Sequence, residues 1–129
     1  MAVAIVRLGQ PRRPGEGLRI GTVRRPPRGV PKSDFARRNY YDVWLPNLAP
    51  SEAVVKLALT ARTDAQWRTF RRRYTAEMNE PAAAHVLDTL AALSHHAAFS
   101  VGCYCEDEAH CHRSVLRELL ARRGAKIEP

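Results

Sequence analysis

Apolar residues recur along this chain in two rhythms. Short apolar runs bounded by glycine and proline predict strands, and apolar positions at spacings of three and four predict helices. Val-Ala-Ile-Val-Arg-Leu at 3–8 predicts a first strand. The stretch from Gly9 to Gly17 holds two prolines and reads as a loop. Leu18 to Val23 predicts a second strand. Arg24 to Pro31 holds three prolines and a glycine, so it is a stiff irregular turn in which Arg25 is driven to an extended conformation. Ser33 or Asp34 suits the cap of a short helical turn, and Tyr41 to Leu45 predicts a third strand stopped by Pro46.

Helical spacing takes over after Pro50. Ser51 is the expected N-cap of a helix to about Leu59, and Thr63 or Asp64 opens the next. There Trp67, Phe70, Tyr74 and Met78 form a stripe that packs on a core, with Arg68, Arg71, Arg72 and Arg73 outward. Pro81 fits the first turn of a third helix that turns Val86, Leu87, Leu90 and Leu93 inward. His85, His95 and His96 are expected at the surface. Ala97 to Cys103 predicts a buried strand. A final helix is expected from about Glu108 to Arg123, capped by Asp107 and stopped by Gly124. Ala125 to Glu128 suits a short edge strand. Strands mixed with helices, the last strand feeding straight into a helix, predict a small α/β sandwich: one domain over residues 1–129, with a mostly parallel sheet of about four strands flanked by helices.

Composition narrows the class. The chain has 129 residues, 45% hydrophobic and 26% charged, an ordinary globular mixture. No apolar run approaches the ~20 residues of a membrane span. The apolar opening from Ala2 to Val6 is too short for a signal peptide and has no basic residues ahead of it, so a soluble, cytoplasmic protein is expected. Three cysteines, odd in number and close together, do not make a disulfide framework.

Charge adds a partner class. The net charge is +8, and residues 1–40 carry ten Lys and Arg against two acids, whereas residues 41–129 carry eleven of each sign. An excess of this kind attracts anions: nucleic acid, nucleotides or phosphorylated small molecules. A solvated basic face without a ligand is the plain alternative. Arginine suits bidentate contacts to phosphate, and Arg24, Arg25 and Arg28 lie together in the Arg-Arg-Pro-Pro-Arg-Gly turn.

The densest chemistry lies at 103–114, Cys-Tyr-Cys-Glu-Asp-Glu-Ala-His-Cys-His-Arg-Ser, across a strand-to-helix junction. Helix N-termini favour anions and thiolates. Three readings compete. The first is a catalytic set with Cys111 as nucleophile, His110 or His112 as base and Arg113 as anion clamp. The order of these residues is not that of a cysteine-phosphatase loop, which needs five residues between Cys and Arg where this chain has one. The second is zinc held by Cys103, Cys105, His110 and Cys111, or His112 in place of the last. The third is buried cysteines acting as small apolar residues. If the strand before Arg24 runs parallel to the one ending at Cys103, Arg24, Arg25 and Arg28 face Cys103 across one sheet edge.

Several segments together resemble the domain-of-unknown-function 488 family, particularly its YeaO-like branch: Arg19 through Lys32, Trp44 through Ser51, Phe70 with Arg73-Tyr74, and Cys103 with Cys111-His112-Arg113-Ser114. The resemblance covers nearly the whole chain. It implies a compact bacterial α/β domain and no settled activity. Matched residue by residue, Arg24, Pro27, Arg28, Gly29, Cys103, Cys111, His112 and Arg113 occupy motif positions. Val23 stands where the family often has an acid, and so does Cys105.

The expected function is therefore binding of an anionic small molecule at one sheet edge by Arg24, Arg25, Arg28 and Arg113, with Cys111 and His112 acting on it or holding it. A nucleic-acid-binding module built on the basic first third is the alternative. Against it, no recognised nucleic-acid motif is present, and only Phe35, Tyr40 and Tyr41 could stack on bases. A structural zinc domain is the other alternative.

Overall fold

The computed structural model describes residues 1–129. Four parallel strands form one sheet in the order β1-β4-β2-β3: β1 is Val3–Arg7, β2 Leu18–Gly21, β3 Val43–Trp44 and β4 Phe99–Cys103. Four α-helices follow the predicted order: α1 Glu52–Thr60, α2 Asp64–Met78, α3 Pro81–Leu93 and α4 His112–Arg122. No helix is long and apolar enough to cross a membrane.

Local chemistry accounts for the helix starts. The Ser51 hydroxyl accepts from the Val54 amide, and Thr63 and Gln66 form a reciprocal capping box. Each satisfies amides that the first turn leaves without partners. Pro81 occupies the first turn of α3. Asp107 does cap a helical turn, but it is the short 3₁₀ turn Glu108–His110. Cys111 then takes an extended conformation (φ −135°, ψ 155°) and is itself the N-cap of α4. The expected start of this helix is thus corrected by four residues, because the chain breaks at Cys111 before winding again.

The main core joins all four helices to one face of the sheet. Val3, Ile20, Phe99 and Val101 meet Val54, Phe70, Tyr74, Leu87, Leu90, Val115, Leu116, Leu119 and Leu120. Leu93 is an exception to the expected stripe: it is 41% exposed, and the buried residues of α3 are Ala83, Leu87, Leu90 and Ala91. The alternate residues of the strands point to the other face, where loops cover them. There Ser100 and Arg19 meet Glu16. The expected edge strand at 125–128 shrinks to one parallel bridge, Val3 with Ile127.

The strand order brings two loop regions together. β4 lies between β1 and β2, and Gly21 is in register with Gly102. The amide of Thr22 extends the ladder by donating to the Gly102 carbonyl at 2.9 Å. The carboxyl ends of β2 and β4 therefore leave the sheet side by side, which is where open α/β folds place ligands.

Candidate functional site

At that edge lies a cavity of about 520 Å³. Its walls include Arg24, Arg25, Pro26, Pro27 and Arg28 from the turn after β2, and Cys103, Tyr104 and Cys105 from the end of β4. His112 from the start of α4 also lines it, as do Tyr40, Pro50, Glu52 and Val55. The Tyr104 hydroxyl donates to the Arg25 carbonyl at 2.9 Å and ties the two stretches together. The parallel pairing of β2 with β4, the condition for a shared sheet edge, is present.

The arginines differ in their commitments. Arg24 donates from Nε to the Pro50 carbonyl and from Nη2 to the Ala49 carbonyl, both at 3.1 Å, so it fastens the loop ahead of α1. Arg25 pairs with Glu52. Arg28 is exposed, lines the cavity and makes no hydrogen bond or ion pair. Arg113 is only 3% exposed and does not line the cavity; its Nη2 donates to the Cys105 carbonyl at 2.6 Å, while its Nε is buried without a partner.

Cys103, Cys111 and His112 converge, their ligand atoms all within 4.8 Å of one another. All three are buried: Cys103 is 2% exposed, Cys111 1% and His112 8%. His112 Nε2 lies 2.8 Å from the Thr22 carbonyl oxygen, which can only accept. Nε2 therefore carries a proton, and the ring turns Nδ1 toward Cys111 Sγ at 3.7 Å. The Tyr74 ring packs edge-on against the imidazole, centroids 5.5 Å apart, and fixes its plane. Tyr74 is itself anchored by its hydroxyl, which donates to the Leu48 carbonyl at 2.6 Å.

The thiols are electrostatically unequal. Hydrogen bonds toward Cys105 and Cys111, together with burial, push Cys103 far above the ordinary thiol range. Cys105 is held low, first by the Cys103 and Cys111 thiols and also by the Arg113 charge, against the effect of burial. Cys111 is lowered by Cys103 and His112. Such a cluster can carry a thiolate beside an imidazole, or present two sulfurs and a nitrogen to a soft or borderline metal ion.

Two features of the predicted site change. His110 leaves it: the ring is exposed, paired with Asp107 at 2.8 Å and packed edge-on against Trp67. The grouping with the geometry to hold a metal ion is thus Cys103, Cys111 and His112, in place of a set containing His110. Cys111 lies beneath the cavity wall, whereas Cys105 is the exposed thiol on it. Sequence reasoning misses Thr22 and Tyr74 as positioning residues. Thr22 acts through a backbone carbonyl, which no side-chain pattern reveals, and Tyr74 sits in a stripe that packing alone explains.

The model of a family described as the active DUF488-N3 subclade (DUF488-N3a) matches residues 3–124. The chain belongs to the DUF488 family. The Arg24–Gly29 turn and the Cys103 to Arg113 segment both fall inside the match. No curated protein and no solved structure matches the chain.

Proposed function

We propose that the protein binds a phosphate-bearing small molecule in the cavity under the Arg24–Arg28 turn and acts on it at the Cys–His cluster in the cavity wall. One observation carries this reading. Two stretches some eighty residues apart, one rich in guanidinium groups and one in thiols and imidazole, line the same cavity. A volume of about 520 Å³ suits a small molecule. Arg28 supplies a cation with no partner in the protein, and Arg113 adds positive charge behind the thiols. The description of the matching subclade as active agrees with a site of chemistry.

The basic first third supports the nucleic-acid alternative less well. Arg7, Arg12, Arg13 and Arg25 pair with Glu106, Asp42, Glu128 and Glu52, all from the remainder of the chain. Arg19 is buried on Glu16. These pairings neutralise much of the excess that the first forty residues carry.

Calorimetric titration with inorganic pyrophosphate and with a nucleoside diphosphate tests the proposal. Saturable binding is expected, weakened about tenfold or more in Arg28→Ala, since a hydrogen bond to a charged group contributes about 1.5–3 kcal/mol. Absence of binding, or equal affinity in Arg28→Ala, overturns it. Affinity for duplex DNA that falls steeply with salt and ignores Arg28→Ala would favour the nucleic-acid module instead.

A further inference from the structure

We propose that Cys103, Cys111 and His112 form a zinc site with three protein ligands and a fourth position directed at the cavity. Such a site deepens the proposed function by naming what the cluster holds, and it rests on that function only for the role of the open position.

The course of the chain brings the three ligands together. Cys103 ends a central strand, in register with Arg7 of β1, and its carbonyl accepts from the Leu8 amide at 2.8 Å. Cys111 and His112 are consecutive, and consecutive residues within a helix point about 100° apart. Here the helix starts between them. Cys111 is extended and His112 is helical, so both side chains turn to the same point.

The spacing suits the metal. Zinc binds sulfur at about 2.3 Å and imidazole nitrogen at about 2.0–2.1 Å, so a tetrahedral site has S···N edges of about 3.6 Å and S···S edges of about 3.8 Å. Cys111 Sγ and His112 Nδ1 are 3.7 Å apart. All three ligand atoms fall within 4.8 Å, a span that small side-chain rotations close.

The surroundings suit it as well. A ligating imidazole normally donates its other N–H to a carbonyl or carboxylate, which fixes the tautomer. His112 donates Nε2–H to the Thr22 carbonyl at 2.8 Å and turns Nδ1 to the Cys111 sulfur. All three cysteines are free thiols, so no disulfide competes for the sulfurs. Two sulfurs and one nitrogen are a zinc donor set, and three protein ligands with one open position are the pattern of catalytic zinc. Cys103 and His112 both line the cavity while Cys111 lies behind them, so the fourth corner of the tetrahedron faces the cavity. A phosphate oxygen held by Arg28 would meet the ion there.

The test uses the full chain and the metal alone. Purified protein is stripped with a chelator and titrated with Zn(II), and in parallel with Co(II) as a spectroscopic probe. One equivalent is expected to bind, with release of thiol protons. The cobalt form should show thiolate-to-metal charge transfer in the near ultraviolet and the intense visible bands of a tetrahedral ion. Cys103→Ser and His112→Gln should each lose the stoichiometric site, as judged on variants whose circular dichroism matches wild type. His110→Ala and Cys105→Ser should keep it. Absence of a cobalt charge-transfer band in the wild-type chain overturns the proposal, even if the variants fail to fold. Loss of the metal in Cys105→Ser overturns the open site in favour of a closed one with three cysteines. Arg28→Ala leaves metal binding unchanged, so failure of the anion reading and failure of this one are separable.

Discussion

Truncating Glu16 to alanine leaves a charge stranded inside the protein. The side chains of Glu16 and Arg19 are 2% and 1% exposed. Arg19 donates from Nε to Oε2 at 2.8 Å and from Nη2 to Oε1 at 3.0 Å, a bidentate pair. Its Nη1 donates to the carbonyls of Gln10 at 2.8 Å and Asn39 at 2.7 Å, and the Ser100 hydroxyl adds a bond to Oε2 at 2.8 Å. Glu16→Ala removes the counter-ion and leaves the Nε, Nη2 and Ser100 donors without partners. Removing one member of a buried pair costs about 3–5 kcal/mol. In a chain of this size the melting temperature should fall by roughly 10–20 °C. Breaking the exposed Arg25–Glu52 pair by Arg25→Ala should cost less than about 1 kcal/mol. Urea unfolding followed by circular dichroism measures both. The effect has a pH signature. Burial alone would raise the Glu16 pKa, but the bonds from Arg19 and Ser100 outweigh it and hold the pKa below its ordinary value. A depressed folded-state pKa gives stability that is complete above the unfolded value of about 4.3 and is lost as pH falls through the folded one. The gap between wild type and Glu16→Ala should therefore narrow in acid. A loss under about 1 kcal/mol at neutral pH, or a gap that stays constant into acid, would refute the reasoning.

Two further outcomes are expected from the geometry around the cluster. Under native conditions iodoacetamide should label Cys105 first, because it is exposed while Cys103 and Cys111 are buried; peptide mapping that found Cys111 modified as fast would show that the cavity wall opens. Gly102→Ala should destabilise by about 1–3 kcal/mol in urea, because a Cβ there would lie 2.6 Å from the Val6 carbonyl oxygen and 2.9 Å from Val6 Cγ2, and the carbonyl cannot retreat without parting β1 from β4. A loss below about 0.5 kcal/mol would contradict the close strand approach.

Elements read from local chemistry are the ones recovered most directly. The caps at Ser51 and Thr63, Pro81 in a first turn, and the Phe70–Tyr74–Met78 stripe all depend on residues within a few positions of one another. What escapes depends on distant partners. Arg19 reads as part of a basic surface, yet it is buried, because its countercharge at Glu16 is joined by carbonyls and a hydroxyl from Gln10, Asn39 and Ser100. The helix at Cys111 starts late because Asp107 spends its cap on a separate short turn, and an N-cap signal does not say how far the turn will run. The strand order is not accessible from periodicity, since parallel pairing across some eighty residues leaves no local trace.

The motif positions separate by depth. Arg24, Arg28, Cys103 and His112 reach the cavity, whereas Cys111 and Arg113 lie behind it. Residues that line the cavity and residues that hold them in place therefore sit side by side in one short segment. Their order along the chain gives no hint of which is which. The division comes from a single backbone event, the break at Cys111 that turns its sulfur and the His112 ring to one point while sending Arg113 behind the Cys105 carbonyl. Closing that break into a continuous helix would keep every residue of the motif and still separate Cys111 from His112. The chemistry of this edge thus depends as much on where α4 begins as on which side chains it begins with.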